Sequence, residues 1–469
     1  MKKIVNLIMF LVPTFTLFYT ILFNHFEKYD LLFLMPLTYT ICYFGFLKKF
    51  LFAKFSFFRV TFIIILFLRY VILPLLIVVS NYDNIVSIYK PTIYQTRIAI
   101  LLMVYEIIAY SFFIWIYPKL KKDKTREKTI KKYIDINYTN PIFIIFCIIA
   151  ISLLMLTPGV INYFNFITVS KDFNSLDLST TEEITILFVA CAKGIIFLIL
   201  LNYLSKKYKR NNNKLYYYLG LLVTIINSCI YYGSNRSTFI FIAIASFATF
   251  YAFYRKGLKQ MALIMSTIIF IILPIITTYR NYYDYYSDLS GMQKTLVSSQ
   301  GTINEYFGGI NNVAVGLETA NEYQDKRTMS NLLFDFTRPV IGLNIFLKNI
   351  DMEYSNLFFN HCYHKSDLVS VIFPTISQGY FYFGFFGAPL LGILLIYIAL
   401  KLEEYCINLS NPYLVYFFTP SLLRLATLTG PNVNIQMNDL SLKILAPILL
   451  LLLYKGITKR ENRKQLINA

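Results

Sequence analysis

Of the 469 residues, 57% are hydrophobic and only 15% are charged, where a soluble domain has about 45–50% and about 25%. The net charge is +19, from 44 Lys and Arg against 25 Asp and Glu. The basic residues stand in short clusters between solid apolar runs of roughly 20 residues, which is the pattern of loops between membrane helices. It argues against a nucleic-acid partner, and the absence of short alternating strands argues against a β-barrel.

In chain order, the first four spans are expected at residues 4–23, 31–46, 57–79 and 97–117. Met1-Lys2-Lys3 leads directly into the first, which reads as a retained span and not a cleaved signal. Lys48, Lys49 and Lys54 mark one cytoplasmic turn, and the run from Lys119 to Lys132 marks the next. Spans five to nine follow at 141–160, 184–204, 215–232, 238–253 and 261–277. Then comes the longest polar stretch, 279–367, rich in Gly, Asn and Tyr. Beyond it, 370–383 reads as a helix dipping into the interface, 385–400 as span ten, and 413–428 and 440–454 as spans eleven and twelve. The expected fold is all-α and polytopic, with twelve spans and both termini cytoplasmic. It is one integral domain, 1–469, with 279–367 as an extracytoplasmic cap between spans nine and ten.

Several residues stand out chemically. Gly233-Ser234-Asn235-Arg236-Ser237 joins two spans tightly. Ser234, Asn235 or Ser237 is suited to capping the next helix, and Arg236 beside that helix start suits an anion as well as it suits lipid headgroups. Arg280 lies among Tyr279, Tyr282, Tyr283, Tyr285 and Tyr286, an interface belt or a sugar-stacking surface. Arg338 sits where topology does not require a cation, and Arg424 lies inside span eleven. Arg69, Glu106 and Lys193 are mid-span; Arg69 and Glu106 fall at similar depth in neighbouring spans, as a structural pair or part of a proton or ion pathway. His361, His364 and Asp367 have one-face helical spacing. They suit a general base or an interfacial cluster better than a metal site, for which further ligands are lacking. The six cysteines form no CxxC pair, so neither a disulfide framework nor zinc is expected.

Three features together resemble the bacterial Wzy family of oligosaccharide repeat-unit polymerases. They are the Gly233-x-x-Arg236-Ser237 turn with a large outer loop late in the chain, the run Ser370-x-x-Phe373-Pro374 with Gln378, Tyr380 and Gly384, and Arg424 in the penultimate span. Asn235 departs from the family's commoner Gly-Ser/Thr-Arg spacing. The resemblance implies inverting, metal-independent glycosyl transfer without a cofactor, from an undecaprenyl-pyrophosphate-linked oligosaccharide, at the outer face of the bacterial plasma membrane. It implies that Arg236, Arg280, Arg338 and Arg424 offset leaving-group charge, with Ser237, Tyr279 and Gln378 also contacting substrate. His364, His361, Asp367 and Glu318 are the base candidates, and a chain-length regulator and a flippase the candidate protein partners. A ligase of the O-antigen type and a lipid-linked-sugar transporter remain the alternatives.

Overall fold

The computed structural model describes residues 2–82, 87–120, 136–138, 140–166, 179–233, 236–256, 267, 289, 291–347, 349–365, 371–406 and 411–467. Seven helices among them are long and apolar enough to cross a membrane: Lys2–Phe23, Glu27–Ala53, Phe57–Ser80, Ile93–Lys119, Thr180–Asn211, Ser237–Tyr254 and Val433–Thr458. An eighth span is the bent pair Thr375–Gly387 and Leu390–Tyr405, if it counts as one. The fold is that of an all-α polytopic membrane protein. Helix α1 (Lys2–Phe23) leaves Ile4, Leu11, Phe15, Phe18 and Leu22 exposed. A row of large apolar side chains that no protein covers is a lipid-facing surface.

The difference from twelve expected spans has a geometric reason. The runs expected as spans five, seven and eleven form the helices Pro141–Leu156, Lys214–Cys229 and Pro412–Ala426, of 16, 16 and 15 residues. At 1.5 Å per residue they reach about 24 Å, short of the ~30 Å hydrocarbon layer. The expected span at 261–277 lies outside the described residues.

The chain divides into two compact units. The first comprises Met1–Glu127, Asp284–Glu404 and Leu422–Asn438. After α1 it runs through α2 (Leu34–Cys42), α3 (Lys48–Ala53), α4 (Phe57–Phe67), α5 (Leu73–Ser80) and α6 (Ile93–Leu120), with π-helical turns at Tyr43–Leu47 and Leu68–Ile72.

The second comprises Lys128–Tyr283, Tyr405–Ser421 and Asp439–Ala469. It holds α7 (Pro141–Leu156), α8 (Thr180–Asn211), α9 (Lys214–Cys229) and α10 (Arg236–Tyr254), each packed on the next in line up to α10. Ser179 and Glu182 form a reciprocal capping box that starts α8, and Asn212 in the left-handed region ends it. Helix α9 stops three residues before the expected end of its span. Its last stretch, β2 (Ile230–Tyr232), pairs antiparallel with β1 (Phe164–Phe166), registering Asn165 opposite Tyr231. Gly233, at φ +73°, makes the turn that follows. Because α10 begins at Arg236, Ser237 lies within its first turn and is not its cap.

In the first unit, the polar stretch is welded to the spans. It folds as α11 (Gly291–Phe307), α12 (Ile310–Glu322), α13 (Met329–Thr337), α14 (Asn344–Leu347) and α15 (Ser355–His364). Helix α11 lies on α5, tied by Ser80 Oγ donating to Gln300 Oε1 at 3.1 Å, and α12 lies on α6. Every residue of α12 from Ile310 to Leu317 is buried. The chain then forms α16 (Thr375–Gly387) and α17 (Leu390–Tyr405), bent 110° apart, with Gly384 at φ +68° breaking the helix. Of the last two helices, α18 (Pro412–Ala426) and α19 (Val433–Ile467), residues 422–426 and 433–438 belong to this unit and the rest to the second.

Gly392 on α17 takes the hydroxyl of the fully buried Tyr110 so closely that a Cβ would stand 1.8 Å from it. Gly392→Ala is expected to destabilise by about 1–3 kcal/mol through overpacking. Tyr110→Phe, which removes the clashing oxygen, is expected to recover part of that in a thermal-unfolding comparison.

Candidate functional site

The most densely bonded polar group in the first unit is Asp335, on α13 and wholly buried. Ser355 donates to it twice, from its backbone N–H at 3.2 Å and its Oγ at 2.5 Å. Gln378 Nε2 donates at 2.8 Å, the Tyr382 hydroxyl at 2.7 Å and Asn434 Nδ2 at 2.9 Å. One carboxylate thus ties α13, α15, α16 and α19 together. Burial pushes its pKa above the usual carboxylate range, while the side-chain donors pull the other way. Gln378 completes the tie by accepting from the backbone N–H of Val433 at 2.8 Å.

The turn before α19 is equally committed. Thr375 Oγ1 donates to the Pro431 carbonyl at 2.6 Å. A Cβ on Gly430 would stand 2.2 Å from the Tyr306 carbonyl, and one on Gly308 2.5 Å from the Thr429 carbonyl. The segment is buried against α11, α16 and the turn that joins α11 to α12.

Arg338 follows α13 immediately, one turn past Asp335, as its C-cap residue. A cation there suits the negative end of the helix. The side chain is half-exposed and has no hydrogen-bonding or ionic partner among the described residues. Arg424, by contrast, is 6% exposed, and its backbone carbonyl accepts from Gln436 Nε2 at 3.3 Å. Gln436 and Asn434 share the first turn of α19, so α19 links the helix carrying Arg424 to the helix end carrying Arg338. Arg236 begins α10 in the other unit. Tyr279, Arg280 and Asp367 lie outside the described residues.

The base candidates fall on α12 and α15, which pack together. Glu318 accepts from Gln95 Nε2 at 2.7 Å, and Gln95 Oε1 accepts from the Tyr89 hydroxyl at 2.8 Å. One turn on, Glu322 accepts from Cys362 Sγ at 3.1 Å. Burial and this carboxylate push the Cys362 thiol up to about 12, so it stays protonated and is no nucleophile. His361 is exposed, with its ring 6.4 Å from that of Tyr323. His364 is half-buried beside Tyr363, their rings 4.7 Å apart. Burial lowers the His364 pKa, which keeps the imidazole neutral, and so able to take a proton, to lower pH than an ordinary histidine. Among the described residues no group of three or more His, Cys, Asp or Glu is arranged to hold a metal ion.

The mid-span charges Arg69 and Glu106 do meet. Arg69 Nη1 donates to Glu106 Oε2 at 2.5 Å with both side chains fully buried, and Tyr70 donates to the same oxygen at 2.9 Å. The π-helical turn at Leu68–Ile72 carries Arg69, and Arg69 Nε also donates to the Gly308 carbonyl at 2.8 Å.

Sequence reasoning marked Gln378 but missed Asp335, Ser355, Tyr382 and Asn434. The one signal for Asp335 was its place in Phe334-Asp335-Phe336, an acid flanked by aromatics on a helix otherwise facing a core. No protein-family model, curated protein or solved structure matches the chain.

Proposed function

We propose that the protein is a membrane glycosyltransferase that joins undecaprenyl-pyrophosphate-linked oligosaccharide repeat units at the outer face of a bacterial plasma membrane. An acceptor sugar hydroxyl attacks the anomeric carbon of the growing chain. The bond from that carbon to the diphosphate oxygen breaks, the new glycosidic bond forms with inversion, and the hydroxyl proton passes to His364 or Glu318.

The observation that carries this reading is Arg338. An unpaired, half-exposed guanidinium on a helix end anchored by a buried carboxylate is held ready for an anionic leaving group. The bent pair α16 and α17 supports it, since Gln378, in the run that resembles the polymerases, is part of the same anchor. The pairing of Arg69 with Glu106 favours a structural role for these two mid-span charges over a role in transport.

Arg338→Ala is expected to abolish long-chain surface glycan, with a rate loss of about 10²–10³-fold as for removal of one transition-state donor. The protein should still insert at normal levels, because the side chain has no partner to lose. Ladders of normal length in the variant would overturn the assignment. Single repeat units left on the acceptor favour a polymerase, and long lipid-linked chains a ligase.

A further inference from the structure

On both sides of Arg338 the chain turns its polar groups inward and its apolar groups outward. Helix α13 buries Asn331 and Asp335, whereas Met329, the small Ser330 and Leu333 are exposed, Met329 to 63%. Helix α14 repeats the pattern. Asn344 is 8% exposed, and its Oδ1 accepts from the Gly342 backbone N–H at 3.0 Å. Its neighbours Ile345 and Phe346 are exposed, Phe346 to 80%, and so are Leu343 and Ile350. A segment in water does the reverse, because burying polar groups is costly and exposing large apolar ones gains nothing. Polar groups inside and apolar groups outside is the arrangement of a surface against lipid.

The buried face of α13 fixes its level. Leu332 packs with Leu391 and Val433, and the half-buried Phe336, Tyr382 and Met437 close around them. Leu391 is in the first turn of α17 and Val433 in the first turn of α19. Both turns open apolar helices of the candidate membrane spans. A helix lodged against the first turns of two spans stands at the membrane boundary. Leu390, Leu394 and Tyr397, on α17 itself, form an exposed stripe at helical spacing, so lipid is the neighbour at this level.

We propose that α13 and α14 lie in the interface of the membrane that the protein spans. Met329, Leu333 and Phe346 insert about 5–10 Å into the boundary between headgroups and acyl chains. The partner is the bilayer surface itself. Arg338, half-exposed between the two helices, then stands at the depth of the lipid phosphates. On the transferase reading, that is the depth at which a polyprenyl-linked diphosphate would meet it. The insertion does not rest on that reading.

The test uses the full-length protein reconstituted in vesicles of phosphatidylcholine and phosphatidylglycerol. Trp115 is the one tryptophan of the chain, so Phe346→Trp in a Trp115→Phe background reports on α14 alone. Its emission is expected to shift to the blue and to resist quenching by aqueous acrylamide. Lipids brominated near the headgroup end of the acyl chain are expected to quench most of it, and lipids brominated near the methyl end little. Leu333→Trp in the same background is expected to behave alike, and decides the matter if Phe346→Trp fails to fold. Strong acrylamide quenching without quenching by either brominated lipid overturns the proposal and places the segment in water. Resistance to all three quenchers overturns it in favour of a second copy or another protein covering this face. Stronger quenching from the methyl end overturns the interfacial depth. None of these readouts needs turnover, so the transferase reading stands or falls separately.

Discussion

Replacing Asp335 with alanine is expected to cost about 3–5 kcal/mol and to leave little folded protein. Three buried side chains, the partly buried Tyr382 and one backbone N–H donate to this carboxylate. Removing it strands them in a region without solvent, at about 1–3 kcal/mol for each donor that finds no new partner. Asp335→Asn is expected to be milder but still damaging. It keeps one acceptor oxygen but turns an NH₂ towards the donating amide of either Gln378 or Asn434, which bond to different oxygens of the carboxylate. Size-exclusion profiles and melting temperatures of the detergent-solubilised variants measure this. A midpoint within a few degrees of the parent for Asp335→Ala would mean that the four helices hold together without their shared carboxylate.

The second large effect is expected at Glu106. Glu106→Ala leaves the Arg69 guanidinium buried with only the Gly308 carbonyl to meet it, and breaking one side of such a pair costs about 3–5 kcal/mol. The double variant Arg69→Met, Glu106→Leu is expected to recover most of that loss, because apolar residues of similar size avoid the desolvation cost of both ions. The pair is also imperfectly satisfied, which favours recovery. Arg69 Nη2, Glu106 Oε1 and the Tyr110 hydroxyl hydrogen-bond to no other described group. A double-mutant cycle on melting temperature reads the coupling. Additive losses would refute a mutual pairing. Selective loss of transport with stability intact would point to a proton or ion pathway instead.

The sequence disclosed what a single helix decides by itself. The apolar runs at 57–79 and 97–117 coincide with the candidate spans Phe57–Ser80 and Ile93–Lys119, since burying a run of that length needs no knowledge of its neighbours. The meeting of Arg69 with Glu106 was readable for a related reason. Two charges at one depth in adjacent spans have few other partners. The Asp335 anchor was not readable. Its donors come from 20, 43, 47 and 99 residues away, and an aspartate in a polar stretch looks like any solvated loop residue. The end of α9 escaped as well. Ile230-Tyr231-Tyr232 continues an apolar run, and only pairing with 164–166 turns it into a strand. Lys443 hid inside span twelve, though Asp439 four residues earlier was the cue.

The elbow at Gly384 has a mechanical consequence. Across it, Gly379 and the Ala388 carbonyl lie so near that a Cβ on the glycine would come within 2.0 Å of the oxygen. The Tyr105 hydroxyl meanwhile bolts the Phe386 carbonyl from a neighbouring helix at 3.0 Å. Flexing at this corner would break the Tyr105 hydrogen bond or open the Gly379 contact. A movement that opens a way past it is therefore expected to carry α16, α17 and α6 together.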